Sequence, residues 1–193
     1  MCEFLAEVKR ELGFSPQLPD VGSGLGIRYL PTDTPPSYEE YAATVVGTVK
    51  EKCAALGLEV PPLAIEPGRS IVGEAGTTLY TVGGIKTIPD IRTYVAVDGG
   101  ISDIPRPALY EAKYSALNAG RACDTTRETV TISGKHCETD TLIENIDLAP
   151  LRTGDILAVQ STGAYNHSMA SNYNRFRRPA VVLVNEGKSD LIV

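Results

Sequence analysis

The residues able to do chemistry in this 193-residue chain stand in short clusters bounded by glycine or proline. In Glu66-Pro67-Gly68-Arg69, Pro67 fixes its own φ and Gly68 lets a ligand oxygen approach the main chain. Arg69 adds a planar fork that matches a carboxylate or a phosphate. Gly22-Ser23-Gly24-Leu25-Gly26 frees backbone N–H groups to point at an anion. Its spacing is not G-x-G-x-x-G and no helix opens after it, so a dinucleotide site is disfavoured. Arg106 and Tyr110 are four residues apart, a spacing that puts both on one face of a helical turn within reach of a common carboxylate. In Gly134-Lys135-His136-Cys137-Glu138, a thiol beside an imidazole has the setting of a low-pKa cysteine, acting as acid or as nucleophile. Asp98-Gly99-Gly100 and Gly163-Ala164-Tyr165 are further clusters where turns interrupt strands.

The elements that must position these clusters are of two kinds. Phe4, Leu5, Val8 and Leu12 predict a helix over residues 3–12, closed by Gly13. Leu18 to Val21 reads as a short strand that runs into the glycine loop. Ser37 with Glu40 three residues on is a capping box. It opens a helix in which Tyr38, Tyr41, Ala42, Val45, Val49, Cys53 and Leu56 recur on one face until Gly57. A strand at Leu63 to Ile65 then ends at Glu66. Strand, crossover helix, strand is the unit of a parallel α/β sheet or barrel, whose ligands bind at the carboxyl ends of the strands. The Gly22–Gly26 loop and the Glu66–Arg69 turn both fall at such ends. From residue 77 the pattern becomes alternating: strands are predicted at 77–87, 92–98, 128–133, 141–146, 155–160, 180–184 and 191–193, with helical turns near 108–114 and 168–173. The expected organisation is residues 1–75 as the last part of an α/β barrel and 76–193 as an antiparallel β-sandwich or barrel.

Composition narrows the class. A 42% hydrophobic content describes a globular chain, and a net charge of −6 argues against a nucleic-acid surface. Arg175, Arg177 and Arg178 read as a solvated turn. Cys2, Cys53, Cys123 and Cys137 form no C-x-x-C pair, so neither a metal site nor a disulfide framework is indicated and a reduced, cytoplasmic setting fits. No run approaches the roughly 18 apolar residues of a membrane span, and the first residues lack the form of a secretory signal.

Asp20-Val21-Gly22-Ser23-Gly24-Leu25-Gly26, Glu66-Pro67-Gly68-Arg69, Asp98-Gly99-Gly100, Pro105-Arg106-Pro107-Ala108-Leu109-Tyr110, Gly134-Lys135-His136-Cys137-Glu138 and Gly163-Ala164-Tyr165 together resemble, in order and spacing, the diaminopimelate decarboxylase family. The resemblance runs from about residue 3 to the end. It implies a fold-type III enzyme that uses pyridoxal 5'-phosphate, with an α/β barrel followed by a β domain, working as a homodimer with shared active sites. The small-molecule substrate would be meso-diaminopimelate, converted to L-lysine and CO2.

Position by position, Gly24 and the backbone of Glu66, Pro67, Gly68 and Arg69 resemble the cofactor-phosphate cradle, and Tyr165 the residue that touches both phosphate and substrate. Arg69, Arg106 and Tyr110 resemble the clamp on the distal carboxylate, and Glu138 the partner of the distal ammonium. Cys137 resembles the proton donor, reaching with Glu138 into the neighbouring subunit's site. Ser23 departs from the family, which usually has glycine there. A complete (β/α)8 barrel takes about 250 residues. The chain is therefore expected to be a carboxyl-terminal portion, without the lysine that holds the cofactor, and inactive by itself. Decarboxylases of ornithine, arginine or carboxynorspermidine, or a non-catalytic dimerisation module derived from one of these enzymes, are the rival readings.

Overall fold

Ser37 and Glu40 close on each other as their spacing predicts. The Ser37 hydroxyl accepts from the Glu40 N–H at 3.1 Å, and the Glu40 carboxylate accepts from the Ser37 N–H at 2.8 Å. This starts helix α2 (Tyr38–Ala55) in a computed structural model that describes residues 1–193. Helix α1 (Cys2–Leu12) ends at Gly13, whose φ of 67° suits a residue without Cβ and lets its N–H bond back to Lys9. Both helices belong to a first compact unit, Met1–Ile27 with Thr34–Ile71. Its core is small: Cys2, Val49 and Cys53 are buried together, with Leu58 and Leu63 packed against them. The apolar stripe of α2 is thus covered only over its second half, and Tyr38 is 57% exposed.

The two strands expected in this unit shrink to one parallel bridge, Asp20 to Ala64. Ala64 N–H donates to Pro19 O and Val21 N–H to Ala64 O, each at 3.0 Å. On its amino-terminal side the ladder stops for a local reason: Pro19, Pro61 and Pro62 have no N–H to extend it.

The second unit, Arg28–Asp33 with Val72–Val193, holds a six-stranded sheet. Its strands are β1 (Thr78–Ile88), β2 (Arg92–Val97), β3 (Ala116–Asn118), β4 (Glu128–Ser133), β5 (Thr141–Leu148) and β6 (Ile156–Val159), in the order β3-β6-β1-β2-β4-β5. Neighbours are antiparallel except β2 and β4, which run parallel. The end strands β3 and β5 come back into contact, so the sheet curls towards a barrel. Tyr80, Val82, Val95, Val97, Val130, Ile132, Leu157 and Val159 fill the interior, and Tyr29 packs against them. In β1 the inward alternation ends at Val82, where Gly83-Gly84 shifts the register with β2.

The last strands form a separate hairpin, β7 (Val182–Asn185) with β8 (Lys188–Leu191). It starts earlier than the expected 191–193 because Glu186 (φ 49°) and Gly187 (φ 74°) make a two-residue turn that sets Lys188 opposite Asn185. Strand β3 carries no period-two signal over its three residues and escapes sequence reading.

Helix α4 (Arg106–Tyr110) follows β2, and a four-residue helix α3 (Arg69–Val72) precedes β1. The turn after β6 packs backbone on backbone: Gly163 N–H donates to Gly73 O at 2.9 Å and Thr162 N–H to Gly76 O at 3.0 Å. A Cβ on Gly163 would stand 1.9 Å from Val72 O, and one on Gly76 would stand 2.2 Å from the Gly163 Cα. Gly163→Ala is therefore expected to destabilise the chain by about 2 kcal/mol or more, read as a lower urea midpoint with an unchanged slope. A midpoint equal to the parent's would contradict this packing.

Candidate active site

In the first unit, the parallel bridge sets the two anion-type loops side by side. Gly22 O accepts from the Glu66 N–H at 2.9 Å, so the glycine loop starts against the turn that carries Glu66, Pro67, Gly68 and Arg69. Asp20 steadies the loop by accepting from the Gly22 N–H at 2.6 Å. Gly24 sits at φ 130°, a conformation closed to ordinary side chains, with open space where a Cβ would be. Directly after Arg69, the Ser70 hydroxyl is buried without a hydrogen-bond partner, while the Ser70 carbonyl accepts from Tyr38 OH at 2.7 Å. A bare backbone with an unsatisfied hydroxyl beside it fits a multiply accepting anion such as a phosphate.

The remaining predicted residues lie in the second unit. Arg106 and Tyr110 share α4, yet their surroundings differ: Arg106 is 8% exposed and Tyr110 64%. Arg106 Nη1 donates to Tyr29 OH at 2.8 Å and to Tyr114 OH at 2.9 Å, and the Tyr114 hydroxyl donates to Asn166 Oδ1 at 3.0 Å. The guanidinium also lies 5.3 Å from the Tyr29 ring centroid. A buried guanidinium with only neutral hydroxyl partners keeps an uncompensated positive charge, which is what a substrate carboxylate needs. Burial pushes the Tyr114 phenol up, against the pull of the Arg106 charge, so the tyrosine stays a neutral donor.

Tyr165 is adjacent to Asn166 and has φ 67°, rare for a bulky residue, on a turn fixed by the Gly163 contact. It is 45% exposed, next to the buried Ala164.

The loop carrying Cys137 and Glu138 is built around a carboxylate that sequence reading passed over. Asp140 accepts from Ile101 N–H at 2.8 Å and His136 N–H at 3.1 Å, and burial raises its pKa against those bonds. A Cβ on either Gly100 or Gly134 would stand 2.1 Å from Asp140 Oδ2. Gly100 and Gly134 thus leave room for one buried carboxylate that ties the two turns together. Lys135 adds a bond from its N–H to Gly99 O at 2.9 Å.

Cys137 and Glu138 are exposed, and Cys137 Sγ lies 3.6 Å from Glu138 Oε1. The same carboxylate oxygen accepts from Tyr173 OH, and that bond holds the Glu138 carboxyl below the usual carboxylate range. The imidazole of His136 turns away to Ser102 Oγ at 2.9 Å. The thiol–imidazole pair suggested by adjacency is therefore replaced by a thiol–carboxylate pair. A thiol donating to a carboxylate carries its proton, the form an acid needs.

Sequence reading missed Tyr29, Tyr114, Asn166, Ser102 and Asp140, whose roles depend on partners far along the chain. Tyr173 lies in Asn172-Tyr173-Asn174, a polar run after the Gly163–Tyr165 turn, and that run was its only signal. A groove of about 1070 Å³ between α4 and β5 in this unit is lined by none of the predicted site residues.

The fold has counterparts among known proteins. Residues 21–163 match the family model of the pyridoxal-dependent decarboxylase C-terminal sheet domain, and the chain belongs to that family. Within it, the chain is 51% identical over 175 residues to the diaminopimelate decarboxylase of Synechocystis, covering 90% of this chain and 37% of that protein. It is 50% identical over 190 residues to the Bacillus subtilis diaminopimelate decarboxylase, covering 98% and 43%. The chain thus spans about two fifths of the length of these relatives. The crystal structure of diaminopimelate decarboxylase from M. jannaschii, also solved with L-lysine, superposes with a TM-score of 0.86 at 35% identity, over 98% of this chain and 42% of that one.

Proposed function

We propose that this protein acts in the decarboxylation of meso-2,6-diaminopimelate to L-lysine, as part of a pyridoxal 5'-phosphate enzyme. The observation that carries the reading is the pair of oppositely charged groups held ready in the second unit: Arg106 fixed by Tyr29 and Tyr114, and Glu138 fixed by Tyr173. A substrate with an amino-acid group at each end needs a cation for its far carboxylate and an anion for its far ammonium. Arg106, with Arg69 and Tyr110, takes the distal carboxylate of the substrate in its own subunit's site; Glu138 takes the distal ammonium of the substrate in the neighbouring subunit's site.

The phosphate of the cofactor would be held by Gly24, the backbone of Glu66 to Arg69 and the otherwise unsatisfied Ser70 hydroxyl, with Tyr165 touching both phosphate and substrate. When bound, pyridoxal phosphate supplies an electron sink for the carbanion left by loss of CO2. The Cys137 Sγ–H delivers the proton to that carbon. Exposure of Cys137 and Glu138 supports their serving a neighbouring subunit's site in a homodimer, and four unpaired cysteines support a cytoplasmic setting.

Co-expression of this chain with the remainder of the Bacillus subtilis relative tests the reading. Lysine formation from meso-diaminopimelate, dependent on added pyridoxal phosphate, is the expected result. A stable assembly that binds the cofactor and makes no lysine would instead favour a non-catalytic module.

A further inference from the structure

His136 is the one residue of the Gly134–Glu138 loop whose side chain is buried, at 7% exposure, while the next two residues face solvent. Its backbone N–H and both ring nitrogens have partners. Its backbone N–H donates to Asp140 Oδ2 at 3.1 Å, its Nε2 lies 2.9 Å from Ser102 Oγ, and its Nδ1 lies 3.5 Å from Asn174 Nδ2. The ring is edge-on to Tyr173 and Phe176, with centroids at 5.3 and 5.5 Å.

The partners decide the tautomer. Ser102 has a single hydroxyl proton and gives it to Asp103 Oδ1 at 2.7 Å, and Asp103 also accepts from Tyr80 OH. The Ser102 oxygen therefore accepts from His136, which places a proton on Nε2. On the other side the Asn174 amide donates, which leaves Nδ1 as an acceptor. One neutral form of the ring satisfies both, and it bridges the turn at Gly99–Asp103 to the segment Tyr173–Phe176.

We propose that His136 is a positioning residue for Cys137: a neutral, Nε2-protonated imidazole that fixes the loop so that the thiol stays on Glu138 and Tyr173 stays within reach of the same carboxylate. Its importance for turnover rests on the reading of Cys137 as the proton donor; the positioning itself does not. The ring's share is geometric. It does not take the thiol proton, because both of its nitrogens are already engaged. Ser102, at 4% exposure with its proton committed to Asp103, is no nucleophile despite its histidine neighbour.

The test uses the intact 193-residue chain. Iodoacetamide labelling is followed cysteine by cysteine by mass spectrometry, with exposed Cys123 as internal reference and buried Cys2 and Cys53 as reporters of unfolding. His136→Leu removes donor and acceptor together and is expected to speed labelling of Cys137 relative to Cys123 by about fivefold, the equivalent of one ordinary hydrogen bond. His136→Gln keeps one donor and one acceptor and is expected to restore the parent ratio.

Nitrogen NMR of the unmodified chain should show the Nε2–H form at neutral pH. An Nδ1–H ring or an imidazolium, or a Leu variant that labels like the parent, overturns the proposal. A decarboxylase indifferent to Cys137→Ala would remove the functional reading and leave the labelling result untouched.

Discussion

Cys137→Ala, in the complemented enzyme, is expected to slow lysine formation by about 10²- to 10⁴-fold, the usual worth of a positioned proton donor. The thiol is exposed, sits on a loop tied down through Asp140 and His136, and gives its proton direction by bonding to Glu138. Because the proton is needed only after CO2 has left, the loss should fall on kcat with KM for diaminopimelate little changed. Cys137→Ser keeps a hydroxyl in place of the thiol and should lie between parent and alanine, since an alcohol is the weaker acid. Turnover by both variants at the parental rate would show that the proton comes from elsewhere, and the thiol–carboxylate pair would then have no catalytic meaning.

Arg106→Ala is expected to lower kcat/KM for meso-diaminopimelate by about 10²-fold or more, as truncating one partner of a buried, hydrogen-bonded charge pair does. An amino acid without the distal carboxylate should be converted at nearly the same rate by parent and variant. That contrast matters because Arg106 also supports the fold: its loss leaves the Tyr29 and Tyr114 hydroxyls without their donor, and a fall in stability of about 1–3 kcal/mol is expected alongside. Equal losses on both substrates would reduce Arg106 to a structural residue and remove the reason for choosing diaminopimelate over a monocarboxylate such as ornithine. Arg106→Lys, which keeps the charge without the planar fork, should recover part of the stability and less of the specificity.

Much of the fold is legible because its causes are local. The capping box at Ser37 and Glu40 and the stop at Gly13 each involve residues within a few positions of one another. The alternating apolar residues of β2 and β4, Val95 and Val97 with Val130 and Ile132, share one face turned to a common interior. Where the reading was too generous, neighbours were lacking: the stripe of α2 meets only Cys2, Leu58 and Leu63, and prolines cut short the strands flanking Asp20 and Ala64. In the candidate site, the clusters could be named from residue types, but the internal partners of Arg106 and Glu138 could not. Tyr29 and Arg106 are separated by 77 positions and Glu138 and Tyr173 by 35, and no periodicity links such pairs.

By itself, the order of residues determined which turns carry glycine, where helices begin and end, which strands alternate, and which six clusters are able to handle anions, cations and a proton. Only the tertiary structure decided that β2 and β4 run parallel, that Asp140 fills the space beside Gly100 and Gly134, that Arg106 is buried while Tyr110 is not, and that Cys137 bonds to Glu138 and not to His136. The division follows from the range of the forces. Propensity, capping and turn preference act over a few residues and leave their mark in the sequence. Hydrogen bonds and close packing between distant segments arise once the chain has collapsed and buried polar groups must find partners.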